Sequence, residues 1–560
     1  MIDPITLEIM RNRWLGIAEE CCAALVRASY STNIKDRRDC SVALATPEGT
    51  IVAQAEVGTP LHLGIMPGVL GAILAEFPPD SMQPGDMYAS NLPYPEGPGH
   101  LPDLSLVAPI FHGGELVALS ASTAHHVDMG GYAPGSMPFG VTEIYQEGLQ
   151  IPPIALVRGG ELQEPILRLI EQNVRTRIEV RGDLMAQYAT ARTADRRVAE
   201  LLDSSEGRVA LDAIPAILDH AEACMRAGIR GLPDGVYRFH DYLDDDGFTD
   251  DPVRIAVEIR VAGDGLTVDF DGTSAEVAGP LNARLSAARA AVYYTCKAVI
   301  DPDLPTSAGA YRPIHVTAPE GTVMNAIFPA AIGNANILTD QRVVDVLMGA
   351  LAQCVKERVC AACSGEMNLL NIGGADDRPD APDSYYNYVE TYAGGQGAMH
   401  DLDGEDGVHT HLTNTRNAPV EVIERTYPLE VVRYGLVPDT EGAGRRRGGC
   451  GMVRELRCLG ERTVVTVGAD RRRFTPWGMD GGQTAAGLMI TVTAADRTVR
   501  LLPPPTFVEL KRGDVLTVQT PGGGGWGPPA ERERDLLARD LRAGLVSPER
   551  ARDVYRSSAT

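Results

Sequence analysis

Two short segments carry residue types suited to metal chemistry. His100-Leu101-Pro102-Asp103 precedes one stretch with strand character, and Ala124-His125-His126-Val127-Asp128 follows the next. The stretches 105–111 and 116–123, joined by His112-Gly113-Gly114-Glu115, predict a β-hairpin. With the turn centred on Gly113 and Gly114, paired residues sum to about 227, so Asp103 falls opposite about residue 124 and Leu101 opposite His126. Asp103 and His125 then sit within a side-chain length of each other at the open end, with His100 one short turn away. Two imidazoles and a carboxylate converging on a Pro- and Gly-rich loop make a mixed nitrogen and oxygen site for a divalent metal. Asp39, at the mouth of an earlier hairpin, offers a fourth oxygen, and Cys40 is expected to point away on the other strand face. This set suits Zn, Mn or Fe, and open coordination positions favour metal-activated water over structural stapling. The plainer reading of the same residues is a solvated His-His pair at a strand end.

Other motifs carry less. Cys360-Ala-Ala-Cys363 is a lone CxxC after the helical run 343–359, where cysteines at i and i+3 read as core fillers. Asp401-Leu402-Asp403-Gly404-Glu405-Asp406-Gly407 has its glycine at the wrong position for a calcium loop and reads as an acidic turn. The glycine run 522–525 lacks the Gly-Lys-Ser/Thr of a phosphate loop, and no G-x-S-x-G elbow occurs. Arg445-Arg446-Arg447 and Arg471-Arg472-Arg473 read as salt-bridged turns.

The elements that must position these groups are legible from periodicity. Leu7, Met10, Trp14, Ile17, Cys21 and Leu25 step as an amphipathic helix of about six turns, capped by Asp3 with Pro4 at its first position. Hairpins are predicted at 40–55, 105–123 and 253–270, and helices at 165–202, 208–229, 287–300, 341–360 and 531–555. Runs of strands beside long helices without βαβ alternation predict a multi-domain α+β fold with mixed or antiparallel sheets. The expected division is an N-terminal metal-site domain 1–205, a central α+β domain 206–390, a Gly-rich strand-rich domain 391–530 and a helical tail 531–560.

The 560 residues carry a formal charge of −24, which argues against nucleic acid, and no run is long and apolar enough for a membrane span. Ten scattered cysteines and an N-terminus unlike a signal peptide predict a reduced, cytoplasmic setting. Lysine occurs only at Lys35, Lys297, Lys356 and Lys511, and no Gly-Lys pair exists to hold phosphates.

From end to end the chain resembles the hydantoinase B / oxoprolinase family. The resemblance rests on Asp3-Pro4-Ile5-Thr6-Leu7-Glu8, Arg38-Asp39-Cys40-Ser41, His62-Leu63-Gly64, the two histidine segments, Pro134-Gly135-Ser136-Met137, Gly182-Asp183-Leu184, Asp269-Phe270-Asp271-Gly272-Thr273 and the 521–527 glycine motif. The resemblance implies metal ligands at Asp39, His100, Asp103 and His125, with His126 and Asp128 supporting the ligands or relaying protons. It also implies a metal-bearing subunit of an ATP-dependent cyclic-amide hydrolase, joined in a hetero-oligomer to a hydantoinase A-type partner that binds ATP and Mg. The related alternatives are a subunit of an acetone- or acetophenone-type ketone carboxylase and a non-catalytic assembly subunit with a structural metal. Departures from the family pattern, with Leu92 for an Asp and an extra residue in Asn91–Gly99, leave the ring unidentified.

Overall fold

In the computed structural model, which describes residues 2–379, 381, 384–503 and 506–556, the chain is an α+β protein with four sheets. The first sheet contains β1 (Cys40–Ala45), β2 (Ile51–Gln54), β3 (Met87–Ser90), β4 (Asp103–His112), β5 (Glu115–His125), β6 (Ile154–Arg158) and β7 (Glu161–Leu162), in the order β2-β1-β5-β4-β3-β6-β7 and antiparallel throughout. A second, four-stranded sheet is built from residues 235–317, and its one parallel pair joins Gly265–Asp269 to Ile314–Thr317. Two antiparallel sheets of four and five strands occupy residues 369–519.

β1 is buried along its whole length and thus on both faces, its one polar residue, Ser41, included. Cys40, Val42 and Leu44 pack toward Met10, Trp14 and Ile17 of the helix Pro4–Ala28. Ala43 and Ala45 belong to the larger core with Ile65 and Met66 of the helix His62–Glu76. Asp39 therefore falls on the face opposite Cys40, as alternation requires. At the start of the first helix the Asp3 carboxylate accepts from Ile5 N and Thr6 N, as its cap position predicts.

Three expectations are corrected. The β4–β5 hairpin carries a bulge between Ile110 and Phe111, so partners beyond it shift by one and Asp103 lies opposite His125 instead of residue 124. The helix expected over 341–360 runs Thr339–Val355 and is followed by a 3-10 turn, Lys356–Arg358. Cys360 and Cys363 thus sit in an irregular loop and not on one helix. The tail comprises two short helices, Arg534–Ala543 and Pro548–Asp553, separated by Gly544 in the left-handed conformation at φ 70°. Among the described residues no helix is long and apolar enough to cross a membrane.

Helix 62–76 crosses helix Leu285–Ile300 at Gly64, where an added Cβ would stand 2.3 Å from Ala290 N and 2.4 Å from the Ser286 carbonyl. Two backbones cannot retreat as a side chain can. Gly64→Ala is expected to cost about 3 kcal/mol or more, whereas Gly71→Ala, in the same helix with open space at its Cβ, is expected to gain about 0.5–1 kcal/mol. Thermal unfolding of the pair checks this, and equal shifts would contradict the packing account.

Candidate metal centre

Three strand ends meet at one edge of the first sheet. Asp103 opens β4, His125 closes β5 directly opposite it, and Asp39 immediately precedes β1. The His125 N–H donates to the Asp39 carbonyl at 3.0 Å, holding the third end in line. His100 is brought in by a tight turn in which Asp103 N donates to the His100 carbonyl. That turn is strapped by His126 N donating to the Pro102 carbonyl and by the Asn91 amide donating to the Leu101 carbonyl.

Ligand atoms of His100, Asp103 and His125 lie within 4.8 Å of one another, and all three residues are buried. Each is oriented by a neighbour. The Gly333 carbonyl accepts from His100 Nδ1 at 2.9 Å, so the proton sits there and Nε2 is the basic nitrogen. This Nε2 is buried without a hydrogen-bond partner, 3.4 Å from Asp103 Oδ2. The Asn336 amide donates to the same Oδ2 at 3.2 Å. Asn33, whose Oδ1 accepts from the Arg37 guanidinium, donates its amide N–H to His125 Nδ1 at 2.7 Å, so the neutral ring carries its proton on Nε2 and a cation at Nε2 requires the other tautomer. Asp39 accepts from the Thr59 hydroxyl at 3.0 Å and lines the same cavity.

That cavity measures about 20 Å3. One water-sized sphere needs about 10–15 Å3, so the space suits a single ion or water. His62, Met137, Ile337 and Leu369 close its sides.

Burial pulls the His125 imidazole down to about 4, helped by the charge of His100, so it is neutral at pH 7. Burial alone would lift the Asp103 carboxyl, but His100, with His62 and His125, holds it well below the usual carboxylate range. Burial also lowers His100, yet the Asp103 charge more than offsets this and leaves it raised. A neutral imidazole, an ionised carboxylate and an imidazole with an unpartnered nitrogen are the donors a divalent cation requires. The buried orphan nitrogen of His100 shows that the residues present fit such a group.

His100, Asp103 and His125 are brought together, and Asp39 lines the same cavity outside that close group. His126 and Asp128 do not line the cavity: His126 Nε2 meets the Gln187 amide oxygen, and Asp128 is engaged by Arg175 and the backbone N–H groups of Gly130 and Gly135. Sequence reasoning does not reach Asn33, Arg37, Gly333 or Asn336, and it touches His62 only through the His62-Leu63-Gly64 motif.

An α+β chain with nitrogen and oxygen donors converging on adjacent strand ends is the class this structure defines. The chain belongs to the hydantoinase B/oxoprolinase family, whose model matches residues 3–529. It is 33% identical over 574 residues to a Pseudomonas sp. protein provisionally named as the B component of a D-/L-hydantoinase, covering 99% of this chain and 95% of that one. The crystal structure of the ATP-dependent caprolactamase from Pseudomonas jessenii superposes with a TM-score of 0.90 at 28% identity, over 99% of this chain and 96% of that one. A nucleotide-free acetone carboxylase structure shares the fold, with a TM-score of 0.89 at 19% identity over 99% of this chain and 79% of that one.

Behind His100 stands Glu147, whose Oε1 accepts from Gly333 N at 2.7 Å and Ile332 N at 2.8 Å. Burial pushes its carboxyl up to about 7, although both N–H groups pull the other way. Between the ordinary glutamate value and about 7, the folded chain holds a proton that the unfolded chain has released, so rising pH removes stability. Glu147→Gln keeps the acceptor and removes the proton. Its stability should match wild type near about pH 5 and exceed it near about pH 8 by up to about 3 kcal/mol; a pH-independent difference in melting would contradict this.

Proposed function

We propose that this chain is the metal-bearing subunit of an ATP-dependent cyclic-amide hydrolase that opens a lactam or hydantoin ring. The observation that carries the reading is the buried His100 Nε2, which makes no hydrogen bond and faces the Asp103 carboxylate at 3.4 Å in a cavity the size of one ion. Asp39, His100, Asp103 and His125 would hold a divalent cation of the Zn, Mn or Fe class. When bound, the cation supplies Lewis acidity and lowers the pKa of a neighbouring water.

The chain's own residues prepare that chemistry. The Gly333 carbonyl fixes the His100 tautomer, Asn336 aims the Asp103 carboxylate and Asn33 sets the His125 ring. The apolar wall limits competing water. His126 and Asp128 act here as positioning residues: His126 straps the turn before Asp103, and Asp128 anchors the following glycine loop through Arg175. The ring arrives from adjoining cavities of about 440 and 250 Å3, which share Thr413 and Thr59 with the walls of the centre.

An amide resists hydroxide until its carbonyl oxygen is phosphorylated, and that step belongs to a hydantoinase A-type partner in a hetero-oligomer. The Pseudomonas relative is named as one component of a multi-subunit hydantoinase, which supports a second polypeptide here. The absence of any Gly-Lys pair in the sequence fits ATP and Mg bound elsewhere. A cytoplasmic setting suits both the ATP requirement and the ten free thiols.

The test is co-expression with the partner and assay of ATP-dependent ring opening on a lactam and hydantoin panel, with a ketone plus bicarbonate as a second arm. His100→Ala is expected to lose the metal of this centre and at least about 100-fold in ring opening, and Asn336→Ala about 10–100-fold in metal affinity there. Full activity of His100→Ala with no metal at this centre would overturn the metal role. Turnover with the ketone alone would replace the hydrolase by a carboxylase.

A further inference from the structure

A second cluster of ligating side chains lies across the wall from this centre. The loop after helix 339–355 carries Cys360 and Cys363, whose sulfurs stand 3.9 Å apart. His411 faces them from a distant segment. Atoms of Cys363, His411 and Asp345 lie within 4.8 Å of one another, and all three residues are buried. Cys360, Cys363 and His411 line the cavity of about 440 Å3.

The surroundings organise these groups beyond what core filling needs. His411 Nε2 meets Asp345 Oδ1 at 2.9 Å, and the Cys363 N–H donates to the same oxygen at 3.1 Å. The other Asp345 oxygen accepts from the fully buried Arg471 guanidinium. Asp345 is thereby neutralised and occupied, and it acts on the imidazole as an orienting carboxylate, leaving Nδ1 as the nitrogen to offer. The Gly397 N–H donates to Cys363 Sγ at 3.3 Å, while the Cys360 contact and burial hold the thiol well above its ordinary value, so it is a cation that would draw off the proton. Only glycine permits the N–H contact, because a Cβ at residue 397 would stand 1.8 Å from the Ala361 carbonyl. His411 is held at φ 58°, a conformation that a non-glycine residue adopts only where its surroundings impose it.

Two thiolates on one tetrahedral zinc, each about 2.3 Å from the metal, stand about 3.8 Å apart. The observed sulfur separation is already close to that value. We propose that Cys360, Cys363 and His411 form a second, thiolate-containing site for a thiophilic divalent cation of the zinc class, with Asp345 orienting the imidazole and the cavity leaving room for a fourth ligand. Against burial, the contacts to Cys363 and Asp345 raise His411 to about 10, so binding exchanges two S–H bonds and the Nδ1–H of the imidazolium for two sulfur–metal bonds and one nitrogen–metal bond and releases three protons to solvent, with no change in oxidation state.

The two sites differ in donor chemistry, so one experiment separates them. The full-length chain, reduced and stripped of metal, is titrated with Co2+ and followed by absorption. A sulfur-to-cobalt charge-transfer band in the near-ultraviolet can arise only from a thiolate site, because the first centre has only nitrogen and oxygen donors. The band is expected in wild type, retained in His100→Ala, lost in Cys363→Ser and weakened by about half in Cys360→Ser, with circular dichroism confirming that the variants fold. No charge-transfer band in reduced wild type at saturating cobalt would overturn the proposal, and that result depends on no variant. A band unchanged in folded Cys363→Ser would overturn it too. Either failure leaves the first centre standing, since its visible absorption vanishes independently in His100→Ala.

Discussion

The Asp103 carboxylate, 1% exposed at the first residue of a strand, is the constraint that the surrounding structure answers. Taking such a charge out of water costs several kcal/mol unless opposite charge and hydrogen bonds meet it. His100 stands 3.4 Å away, the Asn336 amide reaches the same oxygen, and His125 faces it across the ladder. These partners come from a turn, a distant loop and a neighbouring strand, so satisfying one carboxylate fixes three parts of the chain. The bulge at Ile110–Phe111 matters for the same reason: one residue of slip would move His125 out of register with Asp103 and onto the other face.

A comparable logic joins the sheets. Arg342 pairs with Asp470 at 2.8 Å, and Arg471 with Asp241 at 2.9 Å and with Asp345, all deep in the protein. These pairs tie helix 339–355 and strand Gly235–Leu243 to the turn after strand Arg462–Gly468. Removing one partner of such a pair costs about 3–5 kcal/mol. The guanidinium fork serves two carboxylates at once, which a lysine ammonium does less well. The preference for arginine over lysine therefore has a structural side as well as its bearing on phosphate binding.

Periodic elements are legible in the sequence because their signals are local. The capped first helix, the three hairpins and the antiparallel character of the sheets follow from spacing and turn residues. Asp39, Asp103 and His125 are legible because each sits at a strand end, and His100 because it lies in the turn just before one, where turn signals mark the register. The one-residue bulge is not, since no glycine or proline at 110–111 announces it. Gly333 and Asn336 are out of reach because more than 200 residues separate them from the strand ends they serve. Cys360 and Cys363 mislead for a related reason. Their apolar surroundings continue the helical pattern beyond Val355, whereas the helix stops there and the loop turns the thiols toward a cavity.

The central claim, that three strand ends and one turn hold a catalytic cation, is tested most directly by anomalous diffraction. Crystals of the full-length chain grown with Zn2+ and measured at the zinc edge should show a peak about 2.0–2.2 Å from His100 Nε2, an Asp103 oxygen and a ring nitrogen of His125. A peak confined to other positions, with ordinary water between these side chains, would contradict the account.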